Sequence, residues 1–183
     1  MTDEIKAIFF DRDGTLNYDP GYVHRIEDFK LLPGVVEGLR LLKDEFSFFI
    51  ITNQSGIGKG FYRYEEFKKF NDHLVNILRK KGIEIKETFH CPHKKEENCN
   101  CRKPKLGSIE YFTREYNINL KDSWMIGDHP SDVLLGVNAG FKAIYLLTGH
   151  GEKHKHELEE KNIEPTYIAD NFLDAVRFIR EFI

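Results

Sequence analysis

Three cysteines and a histidine, side chains that commonly bind metals, lie within eleven consecutive positions of this sequence, "CPHKKEENCNC" at 91–101. Cys91 and His93 are separated by one residue, as are Cys99 and Cys101, and the chain contains no other cysteine. Two closely spaced pairs joined by a loop can bring four ligands onto one tetrahedral Zn²⁺, and four protein ligands leave no open position for catalysis. The spacing therefore predicts a structural zinc site. The alternative is three free thiols in a polar loop, which would be prone to oxidation.

Two cations, Arg102 and Lys103, directly follow the last predicted zinc ligand. The loop before them has no large apolar side chain to anchor it, so bound zinc would fix the loop and both cations with it. His90 would point away from Cys91 in an extended chain, which favours His93 as the fourth ligand. We expect the two cations to bind a phosphate group.

Two aspartates, Asp11 and Asp13, directly follow the apolar run "IKAIFF" at 5–10. In an extended chain both side chains lie on one side, with their Cα atoms ~6.5–7 Å apart. Carboxylates aimed together repel each other unless a cation or a shared proton relieves them. The pair therefore suits a hard metal ion and acid/base chemistry; the alternative is a turn whose aspartates satisfy backbone donors.

A second acidic motif, "GDHPSD" at 127–132, follows another apolar run. Asp128 emerges at the predicted strand end, as Asp11 does, which favours metal binding. Asp132 lies in the first turn of the next predicted helix, where a carboxylate commonly caps the helix. Both helix capping and a supporting role at the metal site therefore remain open for Asp132.

A third polar segment, "TNQSGIGKG" at 52–60, also follows an apolar run. Its hydroxyl, amides and alternate glycines could present donors to a phosphate group. The segment is not a Walker motif, because Lys59 is followed by Gly60 rather than by Ser or Thr. A flexible connection into the following helix is the alternative.

The elements that must position these residues alternate between apolar strands and amphipathic helices. The predicted strands are 5–10, 46–52, 86–91, 123–127, 142–148 and an edge strand at 166–169; the predicted helices are 35–45, 64–82, 108–116, 131–140 and 171–183. Strands that are apolar throughout indicate a mainly parallel sheet covered on both faces. We therefore predict one α/β domain over residues 1–183, a Rossmann-like three-layer sandwich whose ligands bind at the carboxyl ends of the strands.

The composition limits which kinds of partner and which cellular compartment we expect for the protein. The 183 residues are 40% hydrophobic and 31% charged, with a formal net charge of −3, so no large basic field predicts a nucleic-acid partner. The amino end lacks the basic region of a secretory leader, and no run approaches the ~20 apolar residues that span a bilayer. We expect a cytoplasmic protein with no membrane partner. The basic "KHKH" at 153–156 is typical of a solvated helix face.

Together these motifs resemble the haloacid dehalogenase-type phosphatases, and the resemblance covers the chain from about Ile8 to its carboxyl end. "DRDGTLNYDPGYVHRIEDFKLLPGV", "TNQSGIGKGFY" and "CPH…CNCRKPKLG" are similar to the heptose bisphosphate phosphatase family, which has a close relative in the histidinol-phosphate phosphatases. The resemblance implies hydrolysis of a small sugar bisphosphate, removing the C7 phosphate of D-glycero-D-manno-heptose 1,7-bisphosphate, and implies Mg²⁺ as cofactor beside the Zn²⁺.

The resemblance also implies roles for individual residues. Asp11 would be the nucleophile that forms an aspartyl-phosphate, and Asp13 would serve as general acid and then as general base. The Asp11 and Asp128 carboxylates and the Asp13 backbone carbonyl would bind Mg²⁺. Thr52 and Lys103 would bind the phosphoryl oxygens.

Four further residues would contact the substrate: Asn53, Gln54, Arg102 and His129. Arg102 would bind the distal part of the substrate, including its second phosphate. Many heptose enzymes carry a lysine directly after the second metal-binding aspartate, whereas this chain has His129. A histidine can be neutral at working pH, which changes the charge offered to the substrate.

The spacing of the motifs leaves no room for an inserted cap domain, so the loop at 18–29 and the zinc loop, residues 90–107, should roof an open site. An open site accepts a compact sugar bisphosphate or a polymer end. Histidinol phosphate is therefore the nearest alternative substrate, and a polynucleotide 3′-phosphate is another. A zinc-stabilised binding module without catalysis is the non-enzymatic alternative. We expect the protein to be a monomer.

Overall fold

A six-stranded parallel sheet forms the centre of the computed structural model, which describes residues 4–183. The strands are β1 (Ala7–Phe10), β2 (Ser47–Asn53), β3 (Ile85–Cys91), β4 (Trp124–Gly127), β5 (Lys142–Leu146) and β6 (Tyr167–Ala169). Their order is β3-β2-β1-β4-β5-β6, and every neighbouring pair is parallel. The predicted parallel sheet, with its sixth strand at the edge, is confirmed.

Helices cover both faces of the sheet. They are α1 (Val35–Leu42), α2 (Ser55–Gly58), α3 (Tyr64–Lys80), α4 (Gly107–Glu115), α5 (Pro130–Ala139), α6 (Gly151–His154), α7 (His156–Glu160) and α8 (Phe172–Arg180). Alternate residues of each strand point to opposite faces, which divides the buried side chains into two cores. One core joins the sheet to α1, α3 and α8, and the other joins it to α4, α5 and α7. This confirms the three-layer sandwich.

The sheet brings the polar strand ends to one edge. β1 lies between β2 and β4, so the chain winds outward in two directions from the centre of the sheet. Ligand sites in such sheets form at this reversal, beyond the carboxyl ends of the strands. Asp11 follows β1, Thr52 lies at the end of β2, and Asp128 follows β4. The three motifs therefore meet although they are far apart in sequence.

The structure departs from the predicted elements in a few places. β1 begins at Ala7 rather than at position 5, and Ile5 instead forms an isolated bridge with Ile118. The short α2, α6 and α7 were not predicted, because each is too short to show a helical period. Within the described residues 4–183, neither the β1–α1 nor the β2–β3 connection forms a cap domain, as predicted.

Two expectations concern the whole chain. Among the helices of residues 4–183, none has both the length and the apolar character required to cross a membrane. The expectation that no leader is present depends partly on residues 1–3, which lie outside the described residues. The assignment of residues 1–183 to one domain stays a prediction.

Candidate active site

Three carboxylates converge at the carboxyl edge of the sheet. Asp11, Asp128 and Asp132 each offer an oxygen, and these oxygens all lie within 4.8 Å of one another. Asp11 continues β1 and donates its backbone N–H to the Ile126 carbonyl at 2.9 Å, so the sheet itself fixes its position. Asp128 and Asp132 are buried. The spacing of the two strand ends therefore produces the acidic cluster that the sequence predicts.

Asp128 approaches the first loop so closely that only glycine fits there. A Cβ atom at Gly14 would lie 2.1 Å from Asp128 Oδ2, and the Gly14 φ of +85° is also unfavourable for other residues. Asp128 Oδ2 accepts a hydrogen bond from the His150 backbone N–H at 2.8 Å. Gly14 of "DRDGT" is therefore required both for the turn and for the carboxylate that packs against it.

Lys103 extends into the carboxylate cluster from the segment after the cysteines. Its Nζ atom lies 2.6 Å from Asp11 Oδ1 and 2.7 Å from Asp132 Oδ1, and it donates to the Ile51 carbonyl at 2.7 Å. The Asn53 side chain fixes the lysine backbone, because its Oδ1 accepts from the Lys103 N–H at 3.1 Å. The structure thus joins Lys103 directly to the predicted nucleophile.

The electrostatics of this cluster favour an additional cation. Burial raises the pKa of the Asp11 carboxyl to about 6, although Lys103 opposes the shift. Burial and the charges of Asp11 and Asp132 hold the pKa of Asp128 well above its usual range. Burial would lower the pKa of Lys103, but the two neighbouring carboxylates outweigh it and raise that pKa. A hard divalent ion with oxygen ligands would relieve the excess negative charge, so the residues present fit Mg²⁺.

Asp13 lies beside the cluster and is held by its neighbours. Arg12 donates Nε to Asp13 Oδ1 and Nη2 to Oδ2, both at 2.8 Å. Arg12 is fully buried, and its guanidinium lies over the rings of Phe67 and Phe70 at 5.2 and 4.7 Å. The packing of α3 against the sheet therefore supports the Asp13 side chain through Arg12.

The four predicted zinc ligands also converge. His93 Nδ1 lies 3.1 Å from Cys101 Sγ and 3.7 Å from Cys91 Sγ, while Cys99 Sγ is 3.4–3.5 Å from the other two sulfurs. Tetrahedral Zn²⁺ with bonds of about 2.0–2.3 Å gives ligand separations of about 3.3–3.8 Å, and every distance above falls in that range except the 3.1 Å between His93 and Cys101. His90 instead packs against Tyr64 and Phe67 and is not part of this group. The donor set fits Zn²⁺.

A cavity of about 620 Å³ opens above the carboxylates. The substrate-binding candidates Asn53, Gln54, Arg102 and His129 all line it, together with Thr52 and the acidic cluster. Arg102 also donates to the His93 carbonyl at 3.4 Å, which ties it to the predicted zinc loop. The structure therefore brings every sequence-predicted active-site residue to one cavity or to the loop that borders it.

Both the sequence and the fold match those of known proteins. A family model described as HAD-hydrolase-like matches residues 100–175. The chain is 38% identical to D-glycero-alpha-D-manno-heptose-1,7-bisphosphate 7-phosphatase of Photorhabdus laumondii, covering 80% of this chain and 85% of the relative. It is 41% identical to D-glycero-beta-D-manno-heptose-1,7-bisphosphate 7-phosphatase of Helicobacter pylori strain J99, covering 87% and 93%. This chain belongs to the D-glycero-D-manno-heptose-1,7-bisphosphate 7-phosphatase family.

A solved structure agrees with this heptose bisphosphate phosphatase family. D,D-heptose 1,7-bisphosphate phosphatase from B. bronchiseptica, complexed with magnesium and phosphate, superposes with a TM-score of 0.87. The two proteins are 26% identical, and the match covers 98% of this chain and 100% of the other. The family and the fold predicted from the sequence are both confirmed.

Within the heptose phosphatase fold, His129 contacts residues that the sequence did not connect with the site. Its side chain is exposed at the cavity rim, yet the crowded surroundings and His154 lower its pKa to about 4. The two imidazole rings lie 4.9 Å apart, and His154 Nδ1 is 2.6 Å from Glu157 Oε1. In the "KHKH" segment, Lys153, Lys155 and His156 are exposed as expected, and only His154 is half-buried. Lys161 binds the carboxylate of this cluster.

Arg12, Tyr62 and His150 are the main residues that the sequence analysis did not single out. Arg12 binds Asp13, Tyr62 hydrogen-bonds to Gln54, and His150 lies 3.0 Å from Asp19 at the cavity wall. The one sequence signal is the position of Arg12 between two aspartates. Strand alternation would direct it away from both, so that signal alone predicts the opposite orientation.

Proposed function

We propose that the protein is a Mg²⁺-dependent phosphatase that removes the C7 phosphate from D-glycero-D-manno-heptose 1,7-bisphosphate. The observation that carries this proposal is the meeting of Asp11, Asp128 and Lys103 at one sheet edge in a chain of this family. A carboxylate nucleophile must approach a phosphate dianion, so the site needs positive charge around it. Lys103 supplies part of that charge.

The reaction proceeds in two steps on this chain's residues. The Asp11 carboxylate attacks phosphorus in line, forming a phosphorus–oxygen bond, while the bond from phosphorus to the sugar oxygen breaks and Asp13 gives a proton to that oxygen. A water then attacks phosphorus and transfers its proton to Asp13, and the bond from phosphorus to Asp11 breaks to release inorganic phosphate. Thr52 and Lys103 bind the phosphoryl oxygens throughout.

The Asp11 and Asp128 carboxylates and the Asp13 backbone carbonyl would hold the Mg²⁺. When bound, this ion neutralises phosphate charge and orients the transferring group. Asp132 supports the same region, because it pairs with Lys103 at 2.7 Å and accepts from the His129 N–H at 3.0 Å. We assign Asp132 to positioning Lys103 rather than to the metal.

The zinc loop positions the cations of the site. Zn²⁺ bound by Cys91, His93, Cys99 and Cys101 would fix the segment that continues directly into Arg102 and Lys103. Lys103 already lies between two carboxylates, and Arg102 lines the cavity beside it. Zinc bound by these four residues would therefore act structurally, by fixing the phosphate-binding side chains that follow.

The cavity supports a compact, doubly phosphorylated substrate. Besides Arg102, the cations Lys95 and Lys161 line it, so a second phosphate can be bound away from the reacting one. Clustered thiols without disulfides and a near-neutral surface suit a cytoplasmic enzyme of small molecules rather than of nucleic acid.

The experiment that tests this function compares kcat/KM in the presence of Mg²⁺ for both anomers of the heptose bisphosphate, histidinol phosphate and a 3′-phosphorylated oligonucleotide. We expect a heptose anomer to be preferred by at least about tenfold. Its second phosphate adds binding energy that histidinol phosphate lacks, and a chain of net charge −3 does not attract the phosphodiester backbone of the oligonucleotide. A preference for histidinol phosphate or the oligonucleotide would contradict the proposed substrate but agree with the proposed mechanism. Absence of turnover with every one of these substrates would contradict the proposal that the protein is a phosphatase.

A further inference from the structure

The carboxylate of Asp13 is surrounded by hydrogen-bond donors. Oδ1 accepts from Arg12 Nε at 2.8 Å and from Asn17 Nδ2 at 3.0 Å. Oδ2 accepts from Arg12 Nη2 at 2.8 Å and from Gln54 Nε2 at 2.9 Å. Four donors around two oxygens hold the ionised carboxylate, the form that Asp13 takes as its proton passes to the leaving oxygen, and they determine where this carboxylate points.

Gln54 connects Asp13 to Thr52. The Nε2 group of Gln54 also donates to Thr52 Oγ1 at 2.7 Å, and its Oε1 accepts from the Tyr62 hydroxyl at 2.6 Å. The side chain is 2% exposed, so water does not compete for these bonds. A reversed amide would place Oε1 against the Asp13 carboxylate and Nε2 against the phenol, which makes the observed orientation the favourable one.

Tyr62 is itself held firmly in place. It is 5% exposed, and its ring stacks on His24 at a centroid distance of 4.6 Å. A Cβ atom at Gly56 would lie 2.2 Å from Tyr62 Cε1, so the glycine of α2 leaves the space that the ring fills. The phenol therefore has one position available, and that position fixes the Gln54 amide.

We propose that Tyr62 and Gln54 are positioning residues that hold the Asp13 carboxyl group for proton transfer to the leaving sugar oxygen. This inference rests on the proposed function, because it requires Asp13 to be the general acid. It gives Gln54 a role through Asp13 and Thr52, since both ends of its amide are already bonded within the protein. Tyr62 acts one step further out, by keeping the amide from turning.

The chemistry of the leaving group provides a direct test of this proposal. A sugar alkoxide is a poor leaving group and depends on a correctly placed proton donor, whereas p-nitrophenolate leaves readily without one. A residue that only stabilises the fold, or only binds phosphate, should affect both substrates equally. A residue that positions the general acid should affect leaving-group release from the sugar phosphate selectively. The second step, in which Asp13 takes the proton of water, is common to both substrates, so the first step must be measured by itself.

The experiment measures leaving-group release in single turnovers, with enzyme in excess and Mg²⁺ present, for heptose bisphosphate and p-nitrophenyl phosphate in Tyr62→Phe and Gln54→Leu. We expect the rate constant of release from the sugar to fall about 10-fold in Tyr62→Phe and about 10²-fold in Gln54→Leu, with the half-saturating concentration within about twofold. Release of p-nitrophenolate should stay within about threefold in Tyr62→Phe. In Gln54→Leu it should fall at least about tenfold less than release from the sugar, because freeing Thr52 affects both substrates. Tyr116→Phe is the matched control, because it removes a phenol bonded to Glu87 outside the cavity.

Asp13→Asn separates the two possible failures. If Asp13→Asn slows leaving-group release selectively for the sugar but Tyr62→Phe slows release from both substrates equally, slows neither, or changes only the half-saturating concentration, the positioning role is wrong. If Asp13→Asn itself slows leaving-group release equally for both substrates, the general-acid assignment in the proposed function is wrong, and the positioning role is wrong with it. Tyr62→Phe changes one hydroxyl only, so it still provides the test should Gln54→Leu fail to fold.

Discussion

At the scale of single residues, the site is a set of buried charges that compensate one another. Lys103 lies within 2.7 Å of both Asp11 and Asp132, although each charge alone would be costly to bury. Removing one partner therefore leaves the other uncompensated. Substituting any one of these three residues should therefore change both the activity and the net charge buried in the site.

Asp11→Asn should abolish turnover, with a loss of at least about 10³-fold, because the amide cannot form an acyl phosphate. Steady-state kinetics with heptose bisphosphate measure this loss, and circular dichroism checks that the fold is intact. Asp72→Asn, on the exposed face of α3, should leave activity unchanged. Turnover by Asp11→Asn close to that of the wild type would exclude a covalent intermediate on this residue.

The raised pKa of Asp11 predicts a pH dependence of stability. Burial raises this pKa from 3.8 to about 6, so over that interval the folded protein keeps a proton that the unfolded chain releases. The free energy of unfolding should therefore fall as pH rises from about 4 through about 6. Thermal melting without Mg²⁺ measures the fall, and it should be smaller in Asp11→Asn. An equal fall in both proteins would contradict the raised pKa.

At the scale of elements, short irregular segments place the side chains that the regular strands cannot. The loop from β3 carries Lys103 into the carboxylate cluster, and the turn through α2 carries Gln54 and Tyr62 to Asp13. The strands and the longer helices form the buried cores, which stabilise the fold and support these segments. Substitutions in a loop and in a core helix should therefore have different consequences.

Cys99→Ser should lower both zinc content and activity. The loop has little apolar packing of its own, so without zinc the adjoining Arg102 and Lys103 should lose their fixed positions. Zinc content by atomic emission and kcat/KM are the measurements, and Asn100→Ser is the control at the neighbouring exposed position. A zinc-free Cys99→Ser protein with full activity would show that the loop does not position the cations.

Leu74→Ala should reduce stability without changing the chemistry. Leu74 is fully buried on the apolar stripe of α3, and a leucine truncated in such a core costs about 2–5 kcal/mol. Denaturant unfolding measures the cost, and Val137→Ala on the exposed face of α5 should cost under about 0.5 kcal/mol. Comparable costs in the two variants would contradict the assignment of the core.

At the scale of the whole molecule, loops from distant parts of the chain meet to narrow the cavity. Tyr22, from the segment after β1, packs against Phe61 with ring centroids 4.8 Å apart. Lys59 donates its Nζ to the Tyr22 hydroxyl at 2.7 Å. Tyr22 lines the cavity, so this contact sets one side of its opening.

Tyr22→Ala should raise KM for heptose bisphosphate by about 3- to 10-fold with little change in kcat. The substitution releases the loop at the cavity mouth but leaves Asp11 and Asp13 in place, so binding should suffer more than chemistry. Steady-state kinetics give both constants, and Leu41→Ala on the exposed face of α1 is the control. A fall in kcat with unchanged KM would place Tyr22 in the chemical step instead.

The sequence predicts the parts of this molecule whose signals are local. The zinc ligands could be identified from spacing, and Asp11, Thr52 and Asp128 from their positions after apolar strands. The pair of hydrogen bonds from Arg12 to Asp13 could not be predicted, because it depends on the packing of α3 over the Arg12 guanidinium. The contact of His154 with His129 could not be predicted either. His154 lies in the segment formed by α6 and α7, and both helices are too short to show a helical period in the sequence.

The strand order also determines when the site can exist during synthesis. β1 leaves the ribosome early with Asp11, but its neighbour β4, which carries Asp128, follows only after more than half of the chain. Until then the growing chain has a carboxylate, a lysine and a zinc loop without the second acidic strand end. With Asp128 as a proposed metal ligand, we expect no catalysis until synthesis has passed β4, in the last third of the chain, and we expect a product truncated before β4 to be inert rather than an unregulated hydrolase.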